Sequence, residues 1–523
     1  MNSSRDELNR IEDALHATAR RLPGKQAVVD GDRSLDYSTF ERTVMGLADR
    51  LATAGVTGGD RVAIFLDKTL ESAIALYGIW NAGAIAVPIN ESLRATQVRH
   101  ILDDSGSKLL ISSPRKLAGI DAAAYEGTPH LELDLTALGT APSPSARDSD
   151  SNSNSNGGAG ARTELPGGDA PAIILYTSGS TGRPKGILIS HANLLAGARI
   201  VTRYLEIRPD ERILSVLPFS FDYGLNQLLT AVGQGATIFL LRSHFPADIC
   251  RALEKSEITA MAGVPTLWIQ LMQRHSPLPK RPFPHLRYIT NSGGVFPVEL
   301  VKRYREHLPH TRIYLMYGLS EAFRSTYLPP DEVDRRPGSM GRAIPECEIL
   351  VVRENGQECD VEEPGELVHS GPTVALGYWN RPEATAAVFR PDPRGEDEHP
   401  GKVVYSGDLV RRDADGFLTF VGRRDQQIKS HGFRISPEEV EEAIQLSKLV
   451  AEVIVRGVPD EVAGMAVEAH VVPREPDSFT VEQLLKYCEA EMPRYMVPKH
   501  IKVHASFPRT SSGKVDRKGV GTN

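Results

Sequence analysis

The run PAIILYTSGSTGRPKG, Pro171–Gly186, joins an apolar, strand-like stretch to a loop that packs three glycines, two serines, two threonines and two cations into the eleven residues from Tyr176. A glycine-rich turn after a strand lets backbone N–H groups converge on one point, while hydroxyls and a lysine add donors around it. The segment therefore predicts an anion-binding loop. A Walker A loop starting at Gly179 would require glycine at position 184, where Pro184 stands, so that motif is excluded. A mere linker needs neither this density of hydroxyls nor the helix N-cap that Ser190 offers just downstream.

Working outward from the loop, strand-like and helical segments alternate. Arg61–Leu66 precedes a helical pattern ending near Ala82, and AIAVPI, a charged helix over Glu91–Ser105 and KLLISS follow. The alternation resumes after the loop with RILSVLP, LNQLLTAVGQG, ATIFLL, ITAMAGVP, LRYITNSG, PVELVKRYREHLP and RIYLMYG. Such a βαβ pattern predicts parallel sheets covered by helices on both faces. Ser143–Arg162 is dominated by Ser, Asn, Gly and Asp; it cannot bury enough apolar surface to offset its ordering entropy, so 143–168 is expected to be a disordered surface loop. From about Glu346 the pattern turns to β, with an Asp415-Gly416 hairpin turn. After Asp425 a short α+β unit follows. The fold class is thus α/β: a large N-terminal domain, 1–424, of two helix-flanked mostly parallel sheets plus a β subdomain, and a small mobile α+β C-terminal domain, 425–523.

With 523 residues the chain exceeds the size of a single hydrophobic core. Its 67 acids against 60 bases leave a net charge of −7, which gives no field to draw the chain to nucleic acid or an anionic membrane and disfavours a basic-patch function. No apolar run is long enough to span a bilayer, and MNSSRDELNR carries charge where a secretory signal needs its apolar centre, so a cytoplasmic protein is expected. Four scattered cysteines without a CxxC pair support neither a disulfide framework nor a zinc knuckle.

Four further motifs accompany the loop: YGLSE (Tyr317–Glu321), YSGDL (Tyr405–Leu409), GRRDQQIKSHGFR (Gly422–Arg434) and PRTSSGKVDR (Pro508–Arg517). In this order and spacing the set resembles the adenylate-forming superfamily of acyl-CoA synthetases, nonribosomal peptide synthetase adenylation domains and firefly luciferase. FDYGLNQL and YGLSEAFRSTYLPP are similar to exosortase-associated AMP-forming acyl ligases and to stand-alone amino-acid adenylating enzymes. The resemblance implies an ATP-dependent enzyme that joins a carboxylate to the α-phosphate, expels pyrophosphate, and passes the acyl group to a thiol. It implies that Thr177, Ser178, Gly179, Ser180, Thr181, Gly182 and Lys185 cradle the terminal phosphates. Glu321 would be the magnesium ligand, with a solvated loop glutamate as the competing reading. Ser292, Gly293 and Gly294 would pack on adenine, with Tyr317, Gly318 and Ser320 nearby, and Asp408 with Arg423 would hold the ribose. Lys514 would touch both the substrate carboxylate and the α-phosphate, so Lys514, Glu321 and Thr177 form the implied catalytic set. Asp425 would be the hinge about which the small domain turns between half-reactions. Lys429, Gly432 and Arg434 would then face the site during thiol transfer, Gly432 leaving room for a pantetheine arm.

Asp222 speaks to the acid. A carboxylate in a largely apolar pocket is costly without a cationic partner, and the family places aspartate here when the substrate is an amino acid. An amino acid is the first choice, with Tyr223, Asn226, Asn291, Met316 and Arg324 lining a polar, medium-sized pocket. Two alternatives compete: Asp222 caps the following helix, or it pairs internally with Arg324. The second favours an acyl- or aryl-CoA synthetase without amino-group recognition. No phosphopantetheine attachment motif follows the C-terminal unit, so the acceptor is expected to be CoA or a separate acyl or peptidyl carrier protein.

Overall fold

The computed structural model describes residues 8–133, 167–177, 184–395, 399, 401–423, 427–508, 517 and 520, with only the backbone of Glu438. Two large sheets build the N-terminal part. The first has nine strands, in the spatial order 342–343, 326–328, 312–317, 288–291, 260–263, 212–215, 237–240, 26–30 and 33–36. Its six central strands pair in parallel, and antiparallel strands close each edge. The second has seven, in the order 377–378, 185–190, 171–177, 85–88, 61–65, 109–112 and 130–132. Leu70–Asn81, expected to end near Ala82, is buried along nearly its whole length. It is apolar on all sides, as a helix enclosed in the core must be.

The βαβ reading holds for most of both sheets, but not at the decisive loop. Pro171–Thr177 and Lys185–Ser190 form an antiparallel hairpin with Thr177 opposite Lys185. The pairing of the flanking strands brings the two polar residues at the ends of the loop together, and only after Ser190 does the helix His191–Leu205 begin. There Ser190 is the expected cap: its Oγ accepts from Asn193 N at 3.1 Å. The helix expected over Glu91–Ser105 starts only at Ala95, because Arg94 has the extended φ/ψ of an N-cap. Of the stretch 143–168, everything up to 166 lies outside the described residues, as does Asp425.

A five-stranded β unit, built on 348–352, 365–370 and 402–412, follows. The C-terminal unit has its own sheet and its own core, in which Ile428, Ile435, Val440, Ile444, Val455, Leu484 and Met492 meet. Separate cores are what permit two units to move as bodies. No helix among the described residues is long and apolar enough to cross a membrane, and all four cysteines are free.

Candidate functional site

A cleft between the large and small units is lined by Thr177 and Pro184 from the hairpin, Asp222 and Tyr223, Ser292 and Gly293, Gly318 and Ser320, and, from the small unit, Lys429, Gly432, Phe433 and Arg434. These residues are dispersed over more than 250 positions, and several of them stand at or just beyond strand ends, as Thr177, Ser292 and Gly318 do.

The strand Arg312–Tyr317 delivers the turn that carries Glu321 and Arg324. Phe323 holds that turn in a left-handed conformation at φ 56°, uncommon for a bulky side chain. Its fully buried ring packs against Gly197, where a Cβ would come within 2.3 Å of it. Ala375 N donates to Glu321 O at 2.9 Å and fixes the turn from the other side. Glu321 is buried; Oε1 accepts from Tyr378 Oη at 2.8 Å, while Oε2 has no hydrogen-bond partner among the described residues. Arg434 Nη1 stands 3.7 Å from that oxygen. Tyr378 escaped the sequence reading because an isolated aromatic 57 residues downstream carries no pattern that ties it to a carboxylate.

Asp408, 1% exposed, sits in the long strand Lys402–Arg412. Its Oδ1 accepts from Arg423 Nη1 at 2.6 Å, across a hairpin in which the two residues are direct partners. Its Oδ2 accepts from Tyr317 Oη, and Arg434 Nη2 lies 3.8 Å away. Burial and the neighbouring Asp408 hold the Tyr317 phenol far above its usual range, so it stays a donor. Burial disfavours the Arg434 charge, but Glu321 and Asp408 outweigh it and keep the guanidinium charged. Burial, with Arg434 adding repulsion, pushes Lys429 down to about 8. Lys185 is likewise lowered by burial, partly offset by Glu321, and its Nζ stands 5.6 Å over the Tyr378 ring.

Asp222 opens the helix Asp222–Gln234, but Phe221 is the N-cap residue, so the capping alternative for Asp222 fails. Gly224 is required there: a Cβ would lie 2.2 Å from Pro218 O. The Asp222 side chain turns instead to Arg324, whose Nη1 donates to Oδ2 at 3.0 Å, with both residues at most 5% exposed. Burial raises the Asp222 pKa and Arg324 opposes the rise. Arg324 also lies 4.9 Å over the Tyr223 ring. The internal pair thus forms, and the argument for a substrate ammonium loses its premise. Tyr223, Asn226, Met316 and Arg324 line one inner cavity, together with Gln227 and Thr290, which the sequence reading did not single out. Asn291 instead donates to Gly294 O at 3.1 Å. Ser178–Gly182, Asp425 and Lys514 lie outside the described residues.

Beyond Gly432 a wide cavity of about 960 Å³ opens between the two units, lined by Pro265, Gly293, Gly294, Arg456, Gly457 and Gly464 among others. Gly293, Lys429 and Gly432 line both it and the cleft. Gly432 has φ +84°, and a Cβ there would lie 2.9 Å from Val264 Cγ1.

Two family profiles match the chain: AMP-binding enzyme over residues 15–379, and AMP-binding enzyme C-terminal domain over 439–514. The chain belongs to the AMP-binding enzymes. Indoleacetate–CoA ligase of Aromatoleum aromaticum is 32% identical, with 95% of each chain covered. A component of the linear gramicidin synthase of Brevibacillus parabrevis is 29% identical over 98% of this chain, which spans 6% of that protein. Among solved structures, o-succinylbenzoate CoA synthetase of Bacillus subtilis is 27% identical. A double mutant of it bound with its product analogue gives a TM-score of 0.82, covering 98% of both chains. In complex with ATP and magnesium ion the same synthetase gives 0.68, covering 98% and 99%. This AMP-binding enzyme is an AMP-forming acid–thiol ligase that uses ATP.

Proposed function

We propose that the enzyme adenylates a small polar carboxylic acid in the cleft and transfers the acyl group to the thiol of CoA or of a carrier protein's phosphopantetheine. In the first half-reaction a carboxylate oxygen attacks the α-phosphorus of ATP, and the bond to pyrophosphate breaks. In the second, a thiolate sulfur attacks the acyl carbonyl, and AMP leaves. Two anions must meet in the first step, so catalysis consists mainly of positioning and charge neutralisation.

The observation that carries this reading is Glu321: a buried carboxylate oxygen without a hydrogen-bond partner among the described residues, next to Ser320, which lines the cleft together with Thr177 and Pro184 from the two ends of the hydroxyl- and glycine-rich loop. An anionic oxygen so placed fits a magnesium ion, which when bound supplies positive charge against the phosphates. Asp408, held rigid by Arg423 and Tyr317, keeps further lone pairs for the two ribose hydroxyls. Ser292, Gly293 and Gly294 offer a surface with little side chain to the adenine. Thr177 and Lys185 close the base of the loop whose middle, Ser178–Gly182, takes the terminal phosphates, and Lys514 bridges the acid and the α-phosphate.

Residues 1–424 and 425–523 are the two bodies, with Asp425 as hinge. The present arrangement is that of thiol transfer: Arg434 reaches Glu321 and Asp408, and Gly432 adjoins the passage from the wide cavity to the cleft. The higher similarity to the product-analogue complex than to the ATP complex supports this. The passage suits a pantetheine arm.

With Asp222 neutralised by Arg324, the acid is bound without amino-group recognition. The second reading, an amino acid, draws on Asp222 lining the cleft, where an α-ammonium would have to displace Arg324. Dependence on ATP and a thiol fits a cytoplasmic site.

ATP–pyrophosphate exchange across amino acids, fatty acids and aryl acids tests the proposal. Acids without an amino group should support exchange, and exchange confined to α-amino acids would reinstate the second reading. Lys514→Ala should abolish exchange while sparing thiol transfer from a supplied acyl adenylate. If AMP forms with no acid, the proposal fails.

A further inference from the structure

The inner cavity lies behind the cleft, between the helix Asp222–Gln234 and the strands Ala260–Gly263 and Tyr288–Asn291. Tyr223 and Arg324 line both spaces and so form the partition. Much of the remaining wall is aliphatic, with Val201, Leu205, Ile213 and Met261. Two consecutive helix residues, with Thr230 and Thr290, break that character. Asn226 and Gln227 are 3% and 8% exposed, and among the described residues Asn226 Nδ2 and Gln227 Oε1 have no hydrogen-bond partner. Gln227 Nε2 donates to Leu214 O at 3.4 Å, which assigns the opposite end of the amide, an acceptor, to the unpaired role. Arg324 Nε, on the partition, is a second buried donor without a partner among the described residues.

A donor and an acceptor left unmatched in an aliphatic cavity weaken a fold. Two of them on one helical turn, beside the place where an acid is activated, describe a complementary ligand group. Full charge is not what they describe. Asp222 and Arg324 cancel each other at the partition, so a second ionised group would enter without a counter-ion.

We infer that the acid ends in an uncharged group that both accepts and donates hydrogen bonds, a carboxamide or a hydroxyl, and that Asn226 and Gln227 select it. The terminal oxygen accepts from Asn226 Nδ2, and the terminal N–H or O–H donates to Gln227 Oε1. This rests on the cleft being the acid-activating site proposed above, and it names the acid that site takes.

The test compares non-hydrolysable acyl-sulfamoyl adenosines binding to the intact enzyme, so that affinity is read without turnover. Succinamoyl and 4-methylpentanoyl analogues match in length and branching and differ only in a terminal carboxamide against an isopropyl group. Glutaramoyl and 5-methylhexanoyl analogues repeat the pair one carbon longer. In at least one pair the amide should bind about 100-fold tighter or more, since a site built for hydrogen bonds rejects analogues lacking them strongly. Asn226→Leu and Gln227→Met, each checked by its melting temperature, should reduce that ratio about tenfold or more. If either variant fails to fold, the wild-type ratio decides. The inference is overturned if the apolar member binds as well in both pairs, if succinyl or 4-aminobutanoyl analogues bind more tightly than succinamoyl, or if folded variants keep the ratio. Binding of the apolar analogues alone would leave adenylation and thiol transfer in the cleft standing and remove this inference. Should no analogue and no AMP bind, both fall.

Discussion

Arg324→Met would test the pair that decided the reading of the acid pocket. Methionine keeps much of the arginine stem's volume but leaves Asp222 buried, 5% exposed, without its cation. Breaking a buried pair in this way costs about 3 to 5 kcal/mol. The charge part of that cost has a ceiling, because the carboxylate escapes by taking a proton. From an unfolded pKa of about 3.9, protonation at pH 7 costs about 4 kcal/mol, and at pH 5 about 1.5 kcal/mol. In the variant the folded-state pKa of Asp222 is raised further, so the folded state binds more protons than the unfolded one, and stability falls as pH rises through that window. The stability deficit against wild type should therefore be about 3 to 4 kcal/mol at pH 7 and shrink by about 2 kcal/mol or more at pH 5. Urea unfolding followed by tryptophan fluorescence reads it in the large unit, where Trp80, Trp268 and Trp379 all lie. Asp222→Asn in the same chain should restore much of the loss, because no buried charge is then left alone. A deficit below about 1 kcal/mol, or one independent of pH, would refute the reasoning that Arg324 compensates a buried Asp222 charge.

Gly432→Val should slow thioester formation from a supplied acyl adenylate about 5- to 150-fold, the range that 1 to 3 kcal/mol of overpacking against Val264 implies. An unchanged rate would remove Gly432 from the passage. Lys429, pushed down to about 8 where the two units meet, would titrate near 10.4 in solvent. Between those values the present arrangement binds fewer protons than an open one, so raising the pH should favour it, up to about tenfold per unit. Fluorescence energy transfer between dyes on the two units, followed from pH 7.5 to 9.5, should show closure rising in wild type and flat in Lys429→Met. Closure that falls with pH would contradict the assignment.

The order of strands and helices was legible in the sequence because burial on a sheet or helix leaves a local period, as in Arg61–Phe65, Leu70–Asn81 and Arg312–Tyr317. Glu321 and Asp408 could be singled out for a related reason: they stand in short motifs whose glycines and hydroxyls mark turns and anion sites. The antiparallel return at Thr177–Lys185 was not, since strand direction is set by what pairs across the sheet rather than by the strand's own residues. Three contacts were decided only by packing. Arg324 meets Asp222 across 102 positions, Tyr378 holds Glu321 from the far side of its turn, and Arg434 reaches both carboxylates from a separate core. Sequence by itself determined which charges and hydroxyls the enzyme has and which turns present them. Only the tertiary structure decided which charges neutralise one another, because in a buried site that outcome depends on ångström-scale distances between segments with no local relation.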